Sequence, residues 1–468
     1  MASTPTGRFD RSIVDGPIGP AVWRLAWPTM LQNIFGGLQG IVDHVMVGNF
    51  VGFAGNAAIG VSWQIFLVVM VFISSLFTGM AVLVARFAGA DDPEKVNRTV
   101  AQAMITAVLL AVGILAPIGW FAAPSLLELV KAEAAVRAEA LPYLRMMFGF
   151  SIGMMVFFML GGALRSAGDA RTPMRLGIAL TVLNVAANLV LIPGLGPIPR
   201  LGTFGAALGT IGSGTLVSLY ALWRLFSGKW VIDLRGVPWR PDWGVIRALF
   251  RFGLPTGVQG IAMNIAGVLL LRFIGSLEQS AEAQAAYAVG YTELFSLITW
   301  TSVGLMGASA AFAGQNLGAG HPERAVTGVR QASRIGLIVA ATVALIFLTI
   351  PRILLGAFGM DEPVVVDIGV QLLTFLSASG FFVSVALVYT GGLQGTGVTK
   401  SPFYISLISQ IGLPIGICTV LQLTGNLTPT GIWSAILVGH ATRCVLSVLR
   451  FRQEKWRFIR VDAEPGRP

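Results

Sequence analysis

The stretch GGLQGIVDHVMVGNF, residues 36–50, carries one acid, Asp43, inside an otherwise apolar run. An ionised carboxylate at bilayer depth costs at least ~2.5–3.5 kcal/mol on insertion scales. A greasy helix has no structural need of it. Elsewhere, Asn184 and Asn188 stand four apart in a second apolar run, which on a helix puts both amides on one face. An amide donates to a carboxylate and fixes its rotamer. Burial disfavours the bare charge, so such a carboxylate takes a proton, or a sodium ion held by carboxylate and amide oxygens. Gln32, Gly36, Gln39, Gly40 and Asp43 recur at spacings of three and four and make one polar, small-residue stripe. A stripe of this kind faces protein or water rather than lipid. Asp43 is expected about ten residues from the outer end of its span, ~15 Å along the axis. His44 is its neighbour in sequence but about 100° away around the helix, and so a poor proton partner.

A second acid, Glu293, lies in YAVGYTELF. It is a candidate for a cationic substrate or a second ion, against the plain reading of a hydrogen-bonded structural acid. Gln39, Gln64, Asn264, Trp63, Tyr389 and Met30 are the further candidates for lining a substrate cavity, where aromatic faces attract cations; for each, ordinary packing competes. His440 has no partners in sequence that would make a metal site, and Cys418 and Cys444 lie in apolar runs as small packing residues. No GxxxxGK[ST] follows a strand, so no ATP site is expected. Clustered His, Cys or paired acids, which a membrane-embedded enzyme would need, are missing from the apolar runs. No cofactor is expected beyond a transported H+ or Na+.

The elements that must carry these residues are membrane helices. The 468 residues are 55% hydrophobic and only 12% charged, with mean hydropathy +0.77, against about 25% charged in soluble proteins. The polar start contains no apolar core followed by a small-residue cleavage site, so no cleaved signal peptide is expected. Twelve apolar runs between residues 23 and 451 approach or exceed the roughly 20 residues a spanning helix needs. They are too long for barrel strands. Pro28 and Pro255 lie near the starts of two long runs, where bends are expected. With the N-terminus inside, all but six of the 32 Lys and Arg fall on the cytoplasmic side; the exceptions are Lys131, Arg137, Arg145, Arg200, Arg272 and Arg352. An even count with both termini cytoplasmic follows. The same bias explains the basic pI without a nucleic-acid partner.

The chain is written twice. Pro28-Thr29 and Gln32 return as Pro255-Thr256 and Gln259; FAGADDPEKV at 87–96 returns as NLGAGHPERA at 316–325; ALRSAGDARTPM at 163–174 returns as GLQGTGVTKSPF at 392–403. The offsets are 227 to 229 residues. Parallel repeats related by an axis along the membrane normal are a transporter architecture. The organisation predicted is a cytoplasmic tail at 1–22, a lobe of six helices at 23–226, a linker at 227–246, a second lobe at 247–451 and a basic tail at 452–468. The fold class is thus an all-α membrane protein, twelve helices in two pseudo-symmetric six-helix lobes. Asp92-Pro93-Glu94 and His321-Pro322-Glu323 read as cap, first-turn proline and first-turn acid. The repeat also supplies an internal control. Leu270 stands opposite Asp43, Leu413 and Ile417 stand opposite Asn184 and Asn188, and Gln64 stands opposite Glu293. The second lobe builds the same pattern without the trio, so the architecture does not demand it.

In order along the chain, Asp43-x-x-Met46-Val47-Gly48, the GA-x-x-PE turn, Leu164-Arg165-x-x-Gly168-Asp169-x-Arg171-Thr172-Pro173-Met174 and Asn184-x-x-x-Asn188 resemble the multidrug and toxic compound extrusion (MATE) family, most of all its DinF-like branch. The similarity spans nearly the whole chain. It implies two six-helix lobes facing a central cavity and export of organic, often cationic, compounds in exchange for protons or sodium. In some members the position of the second asparagine is acidic where this chain has Asn188, and some carry a further acid where it has Met263 and Asn264. The expectation is therefore a secondary active antiporter exporting cationic or amphiphilic compounds by alternating access, a monomer in the inner (plasma) membrane. A flippase for lipid-linked or amphiphilic molecules of the same superfamily is the alternative, though its cavity would call for more interior arginines. A channel suits a duplicated fold with one off-centre acid less well.

Overall fold

The computed structural model describes residues 9–130 and 132–459, apart from the side chains of Phe53 and 67–74. Arg8, Lys131, Arg460 and Arg467, part of the charge count above, lie outside the described residues. Among the described residues the regular elements are all helices. Twelve rods follow in order: α1 (Ile18–Phe50), α2 (Phe53–Gly89), α3 (Pro93–Leu129), α4 (Ala134–Gly149 with Ile152–Ser166, bent by 52°), α5 (Arg171–Leu191), α6 (Gly202–Phe226), α7 (Trp243–Ile274), α8 (Ser280–Gly318), α9 (Pro322–Thr349), α10 (Pro363–Gly395), α11 (Lys400–Leu423) and α12 (Pro429–Arg452). Among the described residues nine of these are long and apolar enough to cross a membrane, ten with the bent pair taken as one span. Pro28 and Pro255 sit inside the continuous helices α1 and α7. Three rods contain wider π-helical turns, at Ala111–Leu115 and Ile118–Ala122 of α3, Ala288–Leu294 of α8 and Leu407–Gly412 of α11. Nothing in the hydropathy pattern announces them.

The duplication is visible in the backbone of the turns. Gly168 and Gly397 both take positive φ, +102° and +93°, and Asp91 and Gly320 both take positive φ, +56° and +80°. Each pair is one repeat length apart. Asp92 caps α3, its side chain accepting from the Lys95 amide at 3.0 Å, with Pro93 in the first turn. His321 occupies the matching place before α9 but makes no side-chain cap. The cap-and-proline reading therefore holds fully for one repeat, and for the other only in its proline and its acid Glu323.

The compact units do not coincide with 23–226 and 247–451. One unit contains Ile34–Gly257 and the other Ser12–Asn33 with Val258–Arg460. The first part of α1 thus packs within the second unit, and the first part of α7 within the first. Glycines explain both attachments. In the second unit a Cβ on Gly304 of α8 would lie 2.6 Å from the Met30 Cα. In the first unit Cβ atoms on Gly79 and Gly253 would overlap the carbonyls of Leu249 and Ser75, so α2 and α7 touch backbone to backbone. Small residues at such crossings are how membrane helices gain van der Waals contact without a hydrophobic driving force.

The stretch before α7 docks along the first unit. Helix α7 starts at Trp243, capped by Asp242, which accepts from the Gly244 amide at 3.0 Å. Upstream, Ile232 and Leu234 are buried in the core of the first unit, the Asp233 amide donates to Asn97 Oδ1, and Gln102 bonds both Arg240 O and the Asp242 amide. The end of the described chain also docks. Trp456 is buried against Phe451, and Arg457 pairs with Glu323 at 2.6 Å.

Candidate functional site

Helix α1 ends at Phe50, whose carbonyl accepts from Arg200. Asp43 therefore lies two turns from the helix end, ~10 Å along the axis, nearer than the ~15 Å expected. Helix α5 brings both asparagines to it. Asn188 Nδ2 donates to Asp43 Oδ1 at 2.7 Å. With its amide nitrogen towards Asp43, Asn184 donates to the same oxygen at 3.0 Å, while its own oxygen accepts from the Thr210 hydroxyl at 3.1 Å. Both asparagines are fully buried and Asp43 is half-buried. One turn earlier the ladder continues: Thr181 of α5 donates to Gln39 Oε1 at 3.2 Å. The site is thus a seam between α1 and α5, closed from behind by α6.

Two residues of that backing were not singled out from sequence. Thr210 holds the Asn184 amide, and Gly209 makes room for Asn188, since a Cβ there would overlap Asn188 Oδ1. Gly205 does the same one turn earlier, where a Cβ would lie 2.7 Å from Leu191 O. The spacing Gly205-x-x-x-Gly209 is the small-residue signal that could have pointed to this close crossing. Asn188 Oδ1 is buried without a hydrogen-bond partner. The trio therefore offers amide N–H groups to a carboxylate and one spare carbonyl oxygen beside it.

The two glycines of the α1 stripe do not join this seam. Gly36 and Gly40 are exposed, and a Cβ on either would meet nothing within 4 Å. His44 bonds Asn56 Oδ1 at 2.6 Å rather than Asp43. The positions opposite the trio in the second unit are apolar, with Leu270 buried and Leu413 and Ile417 half-buried.

A profile of the MatE family matches residues 28–190 and again 255–420, once in each half of the duplication. The chain belongs to the MatE family. Among curated relatives, this MatE chain is 27% identical over 441 residues to a probable multidrug resistance protein NorM of Thermotoga maritima, covering 92% of each. It is 27% identical over 459 residues to the multidrug resistance protein PmpM of Pseudomonas aeruginosa, covering 93% of this chain and 91% of that one. Among solved structures, an outward-facing multidrug resistance MATE family transporter of the MOP superfamily superposes with TM-score 0.87 at 20% identity, over 97% of this chain and 98% of that one. A MOP superfamily transporter from Pyrococcus furiosus described as having a binding pocket of reversed polarity gives 0.86 at 22% identity, with the same coverage. These likenesses fix the fold as that of a multi-pass, twelve-helix MATE transporter.

The other sequence candidates are taken unit by unit. In the first unit, Gln64 and Trp63 of α2 are exposed, with the Trp63 ring tilted against Phe66 at 5.8 Å. In the second unit, Met30 lies beside Gly304. Asn264 bonds back to Gly260 O in its own helix at 3.0 Å. Tyr389 is packed edge-on against Phe451 at 5.4 Å and is only 7% exposed, so it is a core residue of its unit. Glu293 is half-buried in the π-helical stretch Ala288–Leu294 of α8. No group of three His, Cys, Asp or Glu able to hold a metal occurs among the described residues.

Proposed function

We propose that this MatE chain is a secondary active antiporter that exports organic, cationic or amphiphilic compounds in exchange for H+ or Na+ by alternating access. The observation that carries the reading is the Asp43–Asn188–Asn184 seam, an acid in a membrane helix held by two buried amides. A carboxylate at that depth is costly unless neutralised. A proton, a sodium ion or the positive charge of a substrate can each neutralise it, and only one at a time. Exchange follows from that competition. The asparagines keep the carboxylate in one rotamer, so that every occupant meets the same geometry, and the spare Asn188 oxygen gives a sodium ion or a water a second ligand. Coupling of this kind is reciprocal in binding free energy. The membrane potential supplies ~2.3 kcal/mol per charge per 100 mV.

The multidrug names of the curated relatives support the substrate class. The acid of α1 with its two α5 asparagines is the ground for placing the chain with the DinF-like branch. Membership of the inner membrane, cytoplasmic termini and a monomeric state complete the reading. The test is efflux of a fluorescent cation from proteoliposomes driven separately by a pH or a sodium gradient. Asp43→Asn should abolish gradient-driven efflux while leaving the protein folded. Undiminished efflux in the variant would remove Asp43 from the mechanism.

A further inference from the structure

The second unit has a polar cluster of its own, unrelated to the trio. On α8, Tyr287 and Tyr291 stack at 4.9 Å with rings 8° apart. On α12, Trp433 extends the column from Tyr287 at 6.1 Å, and the His440 ring lies parallel to Tyr291 at 6.4 Å and to Phe295 at 6.0 Å. Arg443 stands one turn beyond His440 on the same face of α12. His440 is 4% exposed and its Nδ1 has no hydrogen-bond partner. Trp433 Nε1 and Arg443 Nε are likewise buried and unpartnered. No acid forms an ion pair with Arg443 among the described residues. Arg443 sits about two and a half turns from the helix end at Arg452.

Trp433 Nε1 lies two turns before His440 and is an orphan apart; the two that stand together, His440 Nδ1 and Arg443 Nε, can both donate a hydrogen bond. A guanidinium accepts nothing, and an imidazole nitrogen donates in one tautomer or when protonated. A cation would meet the charge of Arg443. A neutral donor would leave the set unsatisfied. What the set lacks is an acceptor carrying negative charge, for which a guanidinium is the strongest of the side-chain partners. The fold does not require the cluster either. One repeat length earlier the places of Tyr291, His440 and Arg443 are taken by Ser62, Ile211 and Gly214.

We propose that Arg443 and His440, the latter stacked on Tyr291, form an anion site in the second unit, taking a carboxylate or a small monovalent anion. Its ligand has the opposite charge to the one Asp43 takes, and it stands whether or not Asp43 is the coupling acid. A carboxylate of a zwitterionic or acidic substrate and a free halide share this chemistry, and the experiment separates them.

The test is saturable binding of radiolabelled benzoate to the purified full-length protein in detergent, at constant ionic strength set with sulfate. The wild type should bind benzoate, and Arg443→Gln should weaken binding at least about tenfold. His440→Gln should weaken it less, and Arg443→Lys should retain part of it. Displacement of benzoate by bromide assigns the site to small anions in general; resistance to bromide assigns it to organic carboxylates. Should Arg443→Gln not fold, Arg443→Lys and His440→Gln carry the comparison, with thermal midpoints as the check on folding. Asp43→Asn should bind benzoate as the wild type does, so that failure of the antiport reading and failure of this one are told apart. Absence of saturable binding to the wild type, or unchanged binding in the Arg443 and His440 variants, would overturn the proposal.

Discussion

Asp43 is the only acid of α1, and what makes it usable is the pair of amides that α5 presents and the room α6 leaves behind them. Removing one amide leaves the buried Thr210 hydroxyl and the half-buried Asp43 a bond short each. Asn184→Leu strips the Thr210 hydroxyl and Asp43 of a bond each, and an unsatisfied buried group costs ~1–3 kcal/mol. The apparent affinity for the coupling ion should therefore shift by about tenfold or more, read from the ion dependence of efflux; no shift would reduce Asn184 to packing. Gly209→Ala is the sharper probe. Its methyl overlaps Asn188 Oδ1, and overpacking of this kind costs ~1–3 kcal/mol. Transport and thermal midpoint should both fall. Gly212→Ala on the same helix meets nothing within 4 Å and should behave as the wild type.

At the scale of single helices, the two repeats start α3 and α9 with the same proline but different caps. Partial burial pushes the Asp92 carboxyl up. The amide, ammonium hydrogen bond and charge of Lys95 act against it and hold the carboxyl below its usual range. A carboxyl lowered on folding stabilises above the unfolded value, ~3.9, and loses that contribution as pH falls through the folded value. Asp92→Ala should cost ~1 kcal/mol at neutral pH. The gap to wild type should close in melts taken progressively below about pH 4. His321→Ala makes no such difference, because His321 caps nothing with its side chain. Between helices, α10 touches α8 through Gly391 and Gly395, where a Cβ would overlap the carbonyls of Met306 and Ala310. Gly395→Val should lower the melting temperature by several degrees, the signature of ~1–3 kcal/mol of overpacking.

At the scale of the molecule, each compact unit borrows half a helix from the other half of the sequence. The segment Ser12–Asn33 is pinned into the second unit by Arg324, which donates to Gly16 O at 2.6 Å, and by Asn316, which donates to Ile13 O at 3.3 Å. A chain cut at Gly236 separates each borrowed piece from the unit it completes. Neither fragment, 1–236 or 237–468, should give a monodisperse folded protein alone. Co-expressed, the two should recover folding and efflux. Gel filtration and proteoliposome transport of the single and paired fragments check this; a well-folded single fragment would show that the borrowed half-helix is dispensable.

Composition, hydropathy and the 227–229-residue repeat were enough to determine twelve membrane helices in two like halves, because in lipid every backbone group must be satisfied within a helix and apolar length is its direct signature. The same repeat singled out Asp43, Asn184 and Asn188, since a second copy lacking them showed that the fold does not need them. Tertiary structure alone decided which residues complete that seam. Thr210 carries no charge and joins no pattern, the Gly205-x-x-x-Gly209 spacing does not name its partner helix, and both Gly209 and Thr210 act only through the crossing of α5 on α6. It alone placed Tyr389 in a core and the starts of α1 and α7 in the opposite units. It alone laid Tyr291 of α8 against His440 of α12, one turn from Arg443, residues that meet only when α8 lies along α12. Periodicity records which face of a helix is buried, but not against which helix, and a site assembled from several helices exists only once that choice is made.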